Sequence, residues 1–90
     1  MRLDIGRMLL YRVATLKEGG GRAPMETSQA KLYISEAFVA SSLDAMQVHG
    51  GSGYLDDAEE ARDLRDAPAG TLFSGTSEIQ RNIIARFLGL

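Results

Sequence analysis

Two short stretches place glycines among hydroxyl and polar side chains at spacings that can hold an anion. The first is Gln47-Val48-His49-Gly50-Gly51-Ser52-Gly53-Tyr54. Three glycines in four positions let backbone approach a ligand with no Cβ in the way. Successive free N–H groups there can cradle a phosphate. The same residues also make a plain helix C-cap followed by a loop. A dinucleotide fingerprint is a different object, because its glycines follow a strand and open a helix. The second stretch is Phe73-Ser74-Gly75-Thr76-Ser77-Glu78. It opens a helix, whose N-terminus concentrates unpaired N–H donors and partial positive charge. An ordinary N-cap uses the same residue types. Glu78 falls in the first turn, where an acid is favourable whatever else it does.

Other chemistries are closed off by composition. The chain has 90 residues and no cysteine, which removes disulfides, thiolate metal sites and a thiol nucleophile. His49 is the single histidine, so a multi-histidine metal site is excluded and a Ser-His-Asp triad would have to use it. A net charge of −2 leaves no basic field for nucleic acid. No apolar run approaches the ~20 residues of a membrane span. Met1-Arg2-Leu3-Asp4 lacks the apolar region of a secretory signal, so the expectation is a soluble, cytoplasmic chain. Acids concentrate at Asp56, Asp57, Glu59, Glu60, Asp63 and Asp66, against Arg62 and Arg65. This stretch reads as a solvated loop and short helix, since it lacks the alternating oxygen ligands and central glycine of a calcium loop.

The elements that position the two junctions are helices. Ile5, Met8, Leu9, Arg12, Val13 and Leu16 recur at three- and four-residue steps, giving one helix with an apolar face. Gly19-Gly20-Gly21 ends it. Thr27 or Ser28 is positioned to cap a second helix running to Val48. Ile34, Ala37, Phe38, Ala45 and Val48 form one apolar face of it, and Leu32, Val39, Leu43 and Met46 add another. A helix apolar on two sides packs against more than one neighbour. Residues 59–66 fit a short helix, broken by Pro68-Ala69-Gly70. The last helix starts near Ser77, where Ser77-Glu78-Ile79-Gln80 fits a capping box. Ile79, Ile83, Ile84, Phe87 and Leu88 form its predicted buried face. No alternating strand pattern competes, and the fold class is all-α.

Read together, these stretches resemble the C-terminal region of the acyl-CoA dehydrogenase family. Ala30-Lys31-Leu32-Tyr33-Ile34-Ser35-Glu36, Gln47 to Tyr54, Leu64-Arg65-Asp66-Ala67 and Phe73 to Arg81 carry the resemblance in order, with Ile83-Ile84-Ala85-Arg86 close behind. It covers nearly the whole chain. The family's members are flavoproteins in which FAD accepts a hydride from an acyl-CoA thioester after an α-proton is removed. The resemblance implies that residues 1–90 form antiparallel helices, part of a C-terminal four-helix bundle, without the bundle's first helix, the β-domain or the N-terminal domain.

The resemblance also implies roles. Gln47, Gly50 and Gly51 would contact the ADP part of an FAD held mainly by a neighbouring subunit, with Val48 and His49 lining the turn. Thr76 and Glu78 would touch FAD, and Gly75 would approach the substrate. Many members carry their catalytic glutamate where this chain has Ser74. A serine hydroxyl without a partner base holds its proton too tightly near neutral pH to replace it. No catalytic residue is therefore assigned. Pro68 is a second departure, standing where members often carry a basic residue. The implied partners are further copies of the chain or a dehydrogenase-like subunit, with an acyl-CoA-type substrate in the complete enzyme. The alternative is a non-catalytic helical assembly module.

Overall fold

The computed structural model describes residues 1–55 and 57–90. Asp56, the first residue of the acidic stretch, lies outside the described residues. The elements are α1 (Arg2–Glu18), α2 (Pro24–His49), α3 (Gly51–Tyr54), α4 (Glu59–Asp66), a 3₁₀ segment (Ala67–Thr71) and α5 (Ser77–Phe87). All the regular elements among the described residues are helical.

The glycine run closes α1 by a specific device. Gly20 takes φ +90°, and Gly20 N–H and Gly21 N–H donate to the Lys17 and Leu16 carbonyls. That is the paired bonding of a left-handed C-terminal cap. The start of α2 differs from the expectation. It begins at Pro24, four residues before Ser28, because proline's fixed φ suits the first helical position. Thr27 is inside the helix, and its hydroxyl donates back to the Ala23 carbonyl at 2.7 Å.

α2 is the axis of the molecule. Its 26 residues span about 39 Å at 1.5 Å per residue. α1 runs antiparallel to it, as the pairs Arg2–Asp44 and Arg12–Glu26 show. After Gly50 the chain turns back along α2. Glu60 meets His49, a Cβ on Gly70 would touch Ser35, and Ser77 meets Glu36. Pro68 does not end the helical path. The chain tightens into the 3₁₀ segment, with the proline near its start where no N–H is needed.

Small residues occupy the buried positions. Ala30, Ala61 and Ala67 are the buried apolar residues, and Ser28, Ser42, Ser77 and Gln80 are the buried polar ones. Small side chains let α2 and its neighbours approach closely. The large apolar residues stay outside. Met8 is 70% exposed, Phe38 47%, Phe87 56% and Leu88 60%. On α5 this departs from the expected face, of which Ile83 and Ile84 are half-buried while Ile79, Phe87 and Leu88 are exposed. The radius of gyration is 15.4 Å, against roughly 12 Å for a compact domain of this length. Among the described residues no helix is long and apolar enough to cross a membrane.

Candidate functional site

Both glycine junctions are fixed by α2, but at different points along it. The first forms where α2 stops. Gly50 N–H donates to the Met46 and Gln47 carbonyls, and Gly50 itself takes φ +64° and ψ −142°. Side chains other than glycine rarely adopt that backbone. The glycines then start α3, a helical turn the sequence reading treats only as a stop. Ser52 hydroxyl donates to the His49 carbonyl at 2.8 Å and helps close the turn.

The three glycines do different work. A Cβ on Gly53 would stand 2.9 Å from the His49 Cβ and 3.1 Å from the Met46 carbonyl oxygen, so internal packing demands glycine there. Cβ atoms on Gly50 and Gly51 would meet no heavy atom within 4 Å. That face of the turn is open. Gln47, Val48, His49, Gly50 and Gly51 are all exposed around it. His49 is held from the far side, with Nε2 3.0 Å from Glu60 Oε1. This pair fastens α4 to the end of α2.

The second junction is a tight elbow entering α5. Ser74 takes φ +54° and Gly75 φ +93°. Thr76, not Ser77, is the N-cap: its Oγ1 accepts from Ile79 N–H at 3.2 Å. The predicted capping box is therefore replaced. Ser77 is the first helical residue, and its hydroxyl donates to Glu36 Oε1 at 2.6 Å. Gln80 is 7% exposed and turns back to the elbow, its Nε2 donating to the Ser74 carbonyl at 3.2 Å. Lys31 Nζ donates to the Gly75 carbonyl at 2.7 Å. Among the described residues the Ser74 hydroxyl makes no hydrogen bond.

The structure brings Ser74, Gly75, Thr76 and Glu78 together at one elbow, and Gln47 to Gly51 at one turn. It does not bring the two groups together. The elbow meets α2 at Lys31 and Glu36. From Glu36 to Gly50 is roughly 21 Å along the helix axis at 1.5 Å per residue. Sequence reasoning gives Lys31 and Glu36 no role at the site, gives Gln80 only a place in the capping box, and reads Glu60 only as part of a solvated acidic stretch. For Lys31 and Glu36 the only signal was their place in the Ala30–Glu36 stretch that carries the family resemblance.

Known proteins match nearly the whole chain. The family model for the acyl-CoA dehydrogenase C-terminal domain matches residues 1–89. An acyl-CoA dehydrogenase of Bacillus subtilis (strain 168) is 42% identical over 87 residues, which is 97% of this chain and 23% of that protein. The crystal structure of the prolyl acyl carrier protein oxidase AnaB is 54% identical, with a TM-score of 0.96 over 99% of this chain and 24% of that one. The FAD complex of PigA is 40% identical, with a TM-score of 0.94 over 99% of this chain and 23% of that one. The chain thus spans about a quarter of the length of the proteins it matches.

Proposed function

The chain belongs to the acyl-CoA dehydrogenase family, as its C-terminal domain, and from this premise we propose that it serves as the C-terminal helical segment of an FAD-dependent dehydrogenase of acyl thioesters. It contributes FAD contacts and subunit surface and holds no complete active site of its own. The observation that carries this reading is the separation of the two junctions along α2. One chain offers an open glycine turn at one end of the bundle and a capped helix start roughly 21 Å away along the axis. Such a pair suits an assembly in which the turn reaches an FAD held mainly by a neighbouring subunit.

The residues fit that cofactor. The face of Gly50 and Gly51 that a Cβ would fill is open, so backbone can come up to a pyrophosphate or an adenine edge. Gln47 adds an exposed amide beside it. At the elbow, Thr76 caps α5 and Glu78 stands in its first turn, and these are the two positions that the family resemblance implies touch FAD. Gly75 is the position assigned to the substrate. When bound, FAD supplies the hydride-accepting chemistry. The chain's own residues orient and enclose. A serine at position 74, whose hydroxyl makes no hydrogen bond among the described residues, leaves proton abstraction to a group outside these residues. The compartment proposed is the cytoplasm.

The test is direct. The purified chain is titrated with FAD alone and in assembly with its partner subunits, and thioester-dependent dye reduction is followed. The expected result is flavin binding and turnover in the assembly, and no turnover by the chain alone. Turnover by the isolated chain would sink the claim that its site is incomplete. Stable assembly that never takes up FAD would favour the non-catalytic module instead.

A second reading narrows the substrate. Among solved structures the prolyl acyl carrier protein oxidase AnaB is 54% identical against 38% for an acyl-CoA dehydrogenase of Geobacillus kaustophilus, while curated relatives of the two kinds are level at 41% and 42%. The difference among the solved structures supports a prolyl group tethered to a carrier protein as the thioester. Faster flavin reduction by prolyl-carrier protein than by acyl-CoA is the expected outcome, and the reverse order rejects it.

A further inference from the structure

We propose that Lys31 is a positioning residue for the Ser74–Thr76 elbow, and that through the elbow it sets the affinity for FAD. The second half of this statement rests on the FAD-dependent reading above. The first half rests on geometry alone.

The elbow is backbone that the chain does not adopt by preference. Ser74 sits at φ +54°, a region that side chains other than glycine, asparagine and aspartate visit uncommonly, and Gly75 follows at φ +93°. Such conformations persist when surrounding contacts over-determine them. Here two successive carbonyls are pinned from two directions. Gln80, on α5 itself, holds the Ser74 carbonyl at 3.2 Å and reaches the Gly75 carbonyl more weakly at 3.5 Å. Lys31, on α2 and 44 residues away in sequence, holds the Gly75 carbonyl at 2.7 Å. The Lys31 ammonium also lies 5.9 Å from the centroid of the Phe73 ring, within cation–π range. One side chain thus touches both residues that flank Ser74.

Lysine is an expensive way to satisfy a carbonyl. It gives up rotamer freedom and partial hydration, and among the described residues no carboxylate pairs with it. A purely packing role would be served by an apolar side chain. The ammonium instead fixes the direction of the Gly75 carbonyl, and so of the planar peptide that joins Gly75 to Thr76. Thr76 and Glu78 are the elbow's residues assigned to FAD, so a rotation at Gly75 would displace both.

The experiment compares wild type with Lys31→Met, which keeps bulk and loses the donor, and Lys31→Arg, which restores a cationic donor. In the full chain, the carbonyl carbon resonance of Gly75 is followed by NMR. In the assembled protein, FAD affinity is titrated while oligomeric state is monitored. Lys31→Met is expected to shift the Gly75 carbonyl while leaving the resonances of residues 81–87 in place. It is also expected to raise the FAD Kd at least tenfold at unchanged oligomeric state, with Lys31→Arg recovering part of both effects. A Gly75 carbonyl unmoved by Lys31→Met, or already at its random-coil position in wild type, overturns the positioning role. Loss of FAD only together with loss of assembly, unrescued by arginine, reduces Lys31 to a structural residue and also overturns it. A wild-type assembly that binds no FAD rejects the FAD-dependent reading and the affinity claim, while the Gly75 resonance still decides the positioning role.

Discussion

The Ser77 hydroxyl donates a 2.6 Å hydrogen bond to Glu36 Oε1, joining the first residue of α5 to the middle of α2 across 41 positions of sequence. Ser77 is 3% exposed, whereas Glu36 reaches solvent. Removing the hydroxyl leaves a carboxylate that water can still reach, so the loss falls at the lower end for a bond to a charged group. Ser77→Ala is expected to lower stability by about 1.5 kcal/mol. Glu36→Gln keeps an acceptor and should cost less. Urea midpoints of the two variants check the order, and equal midpoints would remove the bond from the account.

Thr76 and Ser77 separate the two ways of starting α5. The sequence pattern puts the cap at Ser77, while the structure puts it at Thr76, whose Oγ1 accepts from Ile79 N–H. Thr76→Ala should therefore remove the cap, at about 0.5–2 kcal/mol. Thr76→Ser should retain most of it. Helical content near residues 77–80, read by backbone amide exchange of Ile79, should rise in exchange rate for Thr76→Ala and stay near wild type for Ser77→Ala.

This displacement by one residue illustrates what the sequence makes legible. Periodicity and glycine punctuation locate every long helix, and residues 59–66 match α4 at both ends. Pattern alone does not decide which of two adjacent hydroxyls caps, because that depends on a partner from another element. Glu36 takes the Ser77 hydroxyl, and Thr76 is left to cap. Gln80, expected to close the capping box, is drawn instead to the Ser74 carbonyl. The start of α2 fails for a related reason: Pro24 already supplies the fixed φ of a first turn, so no side-chain cap is required at Thr27 or Ser28. The buried set is the hardest to read. Large apolar residues at helical spacing suggest core, yet in this chain they are half-buried or exposed, and the fully buried positions go mostly to alanines and serines.

The glycines of the turn divide into those the fold needs and one it does not. Gly53→Ala pushes a methyl against His49 and the Met46 carbonyl, and should cost about 1–3 kcal/mol as an overpacking change. Gly51 has open space around it and no left-handed φ. Gly51→Ala should leave stability within about 0.5 kcal/mol of wild type. Gly51→Val, which fills the open face, should weaken FAD binding in the assembled protein. Paired thermal melts and FAD titrations read both effects, and unchanged flavin affinity in Gly51→Val would argue against the turn as a cofactor contact.

Association is expected because the helices leave their large apolar side chains uncovered. Leu3, Gly6, Leu10, Ile34, Ala37 and Phe38, with Arg2, Arg7 and Ser41, line a groove of about 420 Å³ between α1 and α2. Among the described residues no large side chain is fully buried, so the contacts within one copy leave most of the apolar gain unrealised. Apolar surface of this kind marks an interface more often than a free face. The chain at high micromolar concentration should therefore sediment above its 9.7 kDa monomer mass. Phe38→Asp places a charge in the groove and should return the population toward monomer, because an unpaired carboxylate resists desolvation. A monodisperse monomer in wild type would reject this prediction. A wild-type oligomer that Phe38→Asp leaves intact would move the interface away from the α1–α2 groove, toward the exposed Ile79, Phe87 and Leu88 of the last helix and its end.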